Sequence, residues 1–200
     1  IDLYMERDYK VPEDDEDYVY VSQLVQAHGM RMGIEAHRRA KPYNMGTLYW
    51  QLNDCWPGIS WSSIDHFGNW KALHYEAKEA FENILISFKR EGNHVNVYII
   101  NDLLKNLEET LVLELYDFEV NVLWSSSLEV EVDSNSSVLA QSFFVENMSG
   151  LDGNEVLLDA KYGDYTNTYF FEKPKNLALD KAEIHYEIQK VEQGFSVDVT

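Results

Sequence analysis

The sequence predicts a multidomain chain, α/β in its first part and all-β in its second. Three observations carry that expectation. Apolar residues follow helical spacing in two stretches of the first part, on either side of a non-alternating apolar run, and alternate with period two in the second part. Charge divides at nearly the same place: residues 1–90 hold 10 basic and 14 acidic side chains, net −4, whereas residues 91–200 hold 6 and 21, net −15. The aromatic residues are clustered too, since four of the five tryptophans (Trp50, Trp56, Trp61 and Trp70) fall within 21 residues.

In chain order, Pro12 followed by the acids Glu13–Asp17 reads as a helix start, because proline suits the first turn and acids there complement the positive end of the helix dipole. Val21, Leu24, Val25, His28 and Met32 continue with helical spacing, and Pro42 bars further extension. Met45–Leu52 is a mostly apolar run without alternation, which predicts a strand buried on both faces. Leu73, Ala77, Ala80, Phe81 and Ile84 then mark a second amphipathic helix. Helix, buried strand, loop and helix form the tail of a β/α architecture.

From there the period becomes two. Val95/Val97/Ile99, Leu111/Leu113/Leu115 and Leu128/Val130/Val132 alternate with polar residues, and Val138–Val145, Glu155–Tyr162 and Tyr165–Glu172 give further runs. Turn signals at Glu91-Gly-Asn, Asp133-Ser-Asn-Ser-Ser and Asp152-Gly-Asn separate them, so an antiparallel sandwich is expected. The adjacent aromatics Phe143-Phe144 and Tyr169-Phe170-Phe171 should split between the sandwich core and its outer face. Pro174 marks a linker, and Ile184, Tyr186, Ile188, Phe195, Val197 and Val199 open a hairpin of another β domain. The expected divisions are 1–87, 88–175 and 176–200. Because the chain starts at Ile1 and breaks off in a strand, it reads as a segment of a longer protein.

Composition narrows the possible functions. With 16 basic against 35 acidic residues the net charge is −19, which argues against a nucleic-acid backbone as partner. At 45% hydrophobic and 14% aromatic residues the chain is too rich in core formers for a disordered acidic tail. No apolar run reaches the roughly 18 residues a membrane span needs. The single cysteine, Cys55, excludes an intrachain disulfide and reads as a small buried filler; no His/Asp/Glu group has metal-ligand spacing, and no cofactor is expected. Asn135-Ser-Ser137 and Asn147-Met-Ser149 match the glycosylation pattern, which is common by chance.

The informative stretch is Leu48–Gly58, which begins in the expected strand and leaves it at its C-terminal end, where β/α barrels carry their active sites. Trp50, Trp56 and Trp61 stand beside Asn53 and Asp54. Indole faces beside amide and carboxylate groups suit a sugar, whose apolar face stacks on a ring while its hydroxyls take fixed hydrogen bonds. The bland alternative is ordinary packing with an Asn-Asp turn.

On these residues a resemblance becomes visible. Met45–Ser87, with LYWQLNDCWPGISWSSIDHFGNWKALHY at its centre, resembles the end of the catalytic barrel of family two glycoside hydrolases, the β-mannosidases above all. Tyr4–Tyr9 and Gly33–Arg39 are similar to bacterial gut-type members. The resemblance is dense over 1–87 and weaker over 88–200, where such enzymes carry immunoglobulin-like sandwiches. It implies the C-terminal part of a (β/α)8 TIM barrel, then an immunoglobulin-like antiparallel β-sandwich, then the start of another β domain. It further implies a parent enzyme that removes terminal β-D-mannose with retention, using two glutamates with carboxyls about 5–5.5 Å apart. Both would lie upstream of Ile1, so this chain by itself is expected to be inactive and to pack against the N-terminal domains of its parent.

By position, Trp50 matches the family tryptophan that floors the −1 subsite. Asn53 and Asp54 match the following loop, either touching sugar or fixing the loop. Trp56 and Trp61 wall the pocket or anchor the loop. Trp70 reads as a packing residue, His74 as a satisfied histidine, Glu35 as a salt-bridged helical acid, and Glu6 as a loop residue. The implied partner is a β-linked manno-oligosaccharide, and a bacterial source would imply a periplasmic or secreted protein. Two other readings compete: a non-catalytic glycan-binding or structural module, and a relative acting on galactosides, glucuronides or glucosaminides.

Overall fold

A computed structural model describes the chain except residues 149, 181–183, 192 and 200 and the side chain of Asn147; the Asn147 sequon therefore lies outside the described residues. Three helices come first. α1 spans Asp2–Asp8, α2 spans Asp15–Arg39, and α3 spans Ala72–Ala80. Glu6 thus stands on a helix and not in the loop read from its sequence neighbours.

The acidic run before α2 works as the sequence suggests. The Asp14 carboxylate accepts from the backbone N–H groups of Glu16 (2.9 Å) and Asp17 (3.2 Å), while Asp15, Glu16 and Asp17 occupy the first turn and His37, Arg38 and Arg39 the last. The buried stripe of α2 differs from the expected one: Ala27, Ile34, Glu35 and Arg38 face inward, whereas His28 and Met32 are exposed. The reason is what the helix covers. Ala27 meets Leu73 and Ala77 of α3, while the C-terminal half meets Ser87 of β1 and the Glu82 carbonyl in the turn before it, so the inner face carries charge as well as methyl groups.

Nine strands follow among the described residues. β1 is Ile84–Glu91, β2 His94–Asn101, β3 Leu107–Asp117, β4 Val122–Val132 and β5 Ser136–Phe144. β6 is Val156–Tyr162, β7 Tyr165–Phe170, β8 Tyr186–Val191 and β9 Gly194–Val199. Two antiparallel sheets, β1-β2-β5 and β4-β3-β6-β7, form an immunoglobulin-like sandwich. Its core interleaves Ile86, Val97, Ile99 and Phe143 of the first sheet with Leu113, Leu115, Leu158 and Tyr162 of the second. Each buried aliphatic side chain stabilises the fold by about 1.5–3 kcal/mol, and the regular alternation is what lets them meet. The two-residue hairpins β1–β2 and β6–β7 each begin their turn with a glycine at positive φ, Gly92 (60°) and Gly163 (58°).

The aromatic pairs divide as alternation requires. Phe143 is fully buried against Trp124 (ring centroids 5.0 Å) and Phe171 (5.8 Å), while Phe144 turns outward onto His94. The hairpin β8–β9 forms as expected and pairs within itself among the described residues, although Ile184 precedes it.

Two readings need correction. Ile84 opens β1 instead of closing α3, so the sandwich begins at residue 84 and a boundary at 87/88 would cut its first strand. β1 hides its period because residues 84–87 are all buried: Ile84 and Ile86 face the core, and Leu85 and Ser87 lie on the opposite face of the sheet, the side where α2 reaches Ser87. Met45–Leu52 is not a strand. It runs as an irregular segment with Leu48 99% exposed, because its backbone has no strand to pair with among the described residues; the neighbouring β-contacts are single bridges, Asn53 with Ile64 and Ile64 with Trp70. The described residues ahead of β1 are therefore helices and loop, without a barrel strand.

Candidate functional site

The loop between α2 and α3 folds back on itself. The Asp54 N–H donates to the Ile64 carbonyl (3.0 Å), the Ile64 N–H to Leu52 (2.8 Å), and the Ser63 N–H to Gln51 (3.0 Å). Tyr49 points inward onto the Ala27–Leu73–Ala77 cluster, and its hydroxyl meets Ser63 Oγ at 2.9 Å. The residues on either side of Tyr49 turn outward, so rings and methyl groups are displayed around a tied base.

Asp54 is the centre of that base. Its Oδ1 accepts from Ser60 Oγ (2.5 Å), and its Oδ2 accepts from Ser62 Oγ (2.7 Å) and Lys71 Nζ (3.1 Å). The Ser60 hydroxyl first, then Ser62 and the Lys71 ammonium, hold the carboxyl down to about 2, against the opposing effect of burial. Lys71 is also the N-cap residue of α3, and its N–H donates to Ser63 (2.9 Å), so the loop is fastened to the helix that follows it. An Asx turn forms at Asp65. Asn69 and the backbone N–H of Phe67 donate to its carboxylate, and the Asn69 side chain is the main cause of its lowered pKa.

The expected site residues separate into two groups. Trp50 (71% exposed), Trp56 (74%) and Trp61 (62%) present free indoles, and Asn53 is exposed beside them. Neither Trp56 nor Trp61 anchors the loop through its ring; the anchor at residue 61 is the backbone carbonyl, which accepts from Gln26 Nε2 of α2 at 2.9 Å. Asp54, in contrast, points into the loop with a side chain only 8% exposed. Cys55 is exposed and not a buried filler, since the chain turns outward there. The Trp50–Gln51 peptide bond is cis.

Ser60, Ser62 and Ser63 were not singled out from sequence, although a Ser-x-Ser spacing behind Asn-Asp signals a hydroxyl-filled carboxylate turn. Trp70 packs edge-on against His74 (4.3 Å), and His74 Nδ1 meets Ser63 Oγ at 3.0 Å, which makes it a satisfied histidine. Glu35 is paired with Arg31 (2.8 Å) and Arg39 (3.4 Å), as its helical surroundings suggest. No group of His, Cys, Asp or Glu with metal-site geometry occurs among the described residues, and none of their helices is long and apolar enough to cross a membrane.

An immunoglobulin-like sandwich thus follows directly on a tryptophan-bearing helix–loop–helix layer. The family described as Mannosidase Ig/CBM-like domain matches residues 93–176. Mouse (Mus musculus) beta-mannosidase is 34% identical over 134 residues, covering 63% of this chain and 14% of the mouse protein. Beta-mannosidase A of Emericella nidulans is 30% identical over 123 residues, covering 56% of this chain and 13% of the fungal protein.

Among solved structures, the beta-D-mannosidase of Dictyoglomus thermophilum superimposes with a TM-score of 0.84 at 27% identity, over 98% of this chain and 25% of that one. The Amycolatopsis orientalis exo-chitosanase CsxA shares the fold at a TM-score of 0.69 and 22% identity, over 84% of this chain and 21% of that one. The chain is thus similar to beta-mannosidases, and it spans only a small part of the length of those relatives.

Proposed function

We propose that the chain is part of an exo-acting retaining β-mannosidase that releases terminal β-D-mannose from β-linked oligosaccharides. The observation that carries this reading is the exposed, rigidly based row of Trp50, Asn53, Trp56 and Trp61, on a chain that follows a β-mannosidase over nearly its whole length. Residues 1–83 supply the last units of a (β/α)8 barrel. The segment 45–52, with no strand partner among the described residues and with Leu48 and Trp50 exposed, completes that barrel against earlier strands of the parent enzyme. Residues 84–175 form the accessory sandwich, and residues 176–200 begin a further β domain.

In this reading Trp50 takes the apolar face of the terminal mannose, and Trp56 and Trp61 line the approach. Asn53 offers its free amide oxygen to a hydroxyl, since its amide nitrogen is turned to the Asp54 carbonyl (3.3 Å). Asp54 serves the sugar indirectly by fixing the loop. Proton transfer and nucleophilic attack fall to two glutamates outside this chain, so the chain contributes shape and orientation but no turnover.

Titration calorimetry with mannobiose tests the sugar contact. Saturable heat from the 200-residue chain that disappears in Trp50→Ala is the expected result. Binding that survives Trp50→Ala would move the sugar site onto the sandwich. In a parallel incubation with an aryl β-mannoside the chain should release no aglycone above the buffer blank.

A further inference from the structure

The helix layer and the sandwich meet through charge. Along α2, Arg31, Glu35 and Arg39 stand one turn apart. Glu35 accepts from Ser87 Oγ of β1 at 2.5 Å, and Arg39 reaches the same hydroxyl and the Phe88 carbonyl (3.2 Å). The guanidinium of Arg31 faces three elements at once. Nε donates to Glu35 (2.8 Å), Nη1 to Glu76 (2.5 Å) and Glu79 (3.0 Å) of α3, and Nη2 to the Asn167 side-chain oxygen of β7 (3.2 Å). Asn167 in turn donates to the Ile86 carbonyl of β1 (2.8 Å), so the end of this chain of bonds is the sheet backbone itself.

At its other end α3 holds the tryptophan loop. Lys71 ties Asp54 and Ser62, and His74 meets Ser63. A nine-residue helix is a strut of about 13 Å, stiff along its axis. The loop, α3, Arg31, Asn167 and β1 therefore form one uninterrupted series of hydrogen-bonded groups.

We infer that Arg31 is a positioning residue for the tryptophan loop, through which the sandwich fixes the orientation of α3 and, by way of Lys71 and Asp54, of the displayed indoles. The physical basis is the charge set around it. Glu35, Glu76 and Glu79 converge on this guanidinium, and without it three carboxylates repel across the α2–α3 contact. The planar fork of arginine satisfies α2, α3 and β7 together, which an ammonium cannot do. Other bonds to α2 also exist, the Ala72 N–H at the start of α3 donating to Gln23 Oε1 and Gln26 Nε2 donating to the Trp61 carbonyl of the loop, and they set the limit of the effect. The weight of this coupling for sugar handling rests on the proposed role of the loop, whereas the coupling itself is readable without any sugar.

Hydrogen exchange by mass spectrometry on the 200-residue chain tests it, comparing wild type with Arg31→Met, Arg31→Lys and Asn167→Ala. In Arg31→Met, peptides covering 52–71 should exchange faster by about tenfold or more, the loss expected for charge-assisted bonds, while β3 and β6 keep their rates. Arg31→Lys should recover only part of the protection. If Arg31→Met fails to fold, Asn167→Ala decides, because it cuts the series on the sandwich side only and should still quicken 52–71. Wild-type exchange in 52–71 would overturn the inference, and so would equal acceleration in β3 and β6, which marks general destabilisation. Loss of mannobiose binding plays no part in the readout, so a failure of the sugar proposal leaves this result standing.

Discussion

Asp54 shows how one side chain changes meaning between sequence and structure. Asn-Asp beside tryptophans reads equally well as a sugar contact or as a turn, because the partners that decide are six to seventeen positions away. Ser60, Ser62 and Lys71 fill both carboxylate oxygens, which leaves Asn53 as the polar group free to face outward. The same donors make a pH prediction. The folded-state pKa, about 2, lies below the ordinary value of 3.8, so the carboxylate contributes its full stabilisation above about pH 4 and loses it as the pH falls through about 2. Protection of the Asp54 and Ile64 amides, corrected for intrinsic exchange, should therefore be level from pH 7 to 5 and fall between pH 4 and 2. In Asp54→Asn the protection should be lower at neutral pH and nearly flat across the acid range. An unchanged acid profile in that variant would assign the loss to another group, Asp65 being the nearest carboxylate with a lowered pKa. The indoles were easier to read, since clustering and flatness are compositional; their exposure was not, because nothing local distinguishes a packed ring from a displayed one.

Strands β3, β4, β6 and β7 were legible because burial alternates along them, so alternation along the sequence reports alternation in space; β2 was legible although both its faces are covered, because Asn96 and Tyr98 keep its second face polar in sequence. β1 was not, since both its faces are covered and period two vanishes from Ile84-Leu-Ile-Ser87. The inner face of α2 was hidden for a related reason: a helix that packs through Arg31, Glu35 and Arg38 looks polar on the side it buries. The segment 45–52 misled in the opposite sense, as apolar content predicts burial only where a partner stands beside it. The adjacent pair Phe143-Phe144 turns alternation into numbers. Phe143→Ala empties a site between Trp124 and Phe171 and should cost about 3–5 kcal/mol in urea unfolding. Phe144→Ala removes an outward ring against His94 and should cost about 1 kcal/mol or less. Similar costs for both would mean that the outer face of β5 is as covered as the core.

Taken as one body, the chain is unevenly charged, and its apolar display lies on the less charged part. Leu48, Trp50, Trp56, Ile59, Trp61 and Phe67 are all more than half exposed on one loop, beyond the small apolar patches usual on soluble monomers. The half that carries them has a net charge of −4, against −15 for residues 91–200. Two copies meeting loop to loop would therefore bring their apolar faces together while keeping the strongly acidic sandwiches apart. Repulsion between the sandwiches reaches about 30 Å at 0.01 M salt but only about 8 Å at 0.15 M, so screening removes the main barrier to that encounter and leaves apolar burial in control. The 23.3 kDa chain should run as a monomer at low ionic strength and shift to twice that mass or more as salt rises, measured by size-exclusion chromatography with light scattering. The double change Leu48→Lys and Ile59→Lys touches no bonded side chain of the loop base and should hold the chain monomeric at both salt concentrations. A monomer at every ionic strength would show that the loop rings cover one another in solution, and association that persists in the lysine variant would move the contact to another surface, the exposed apolar residues of β8 and β9 first.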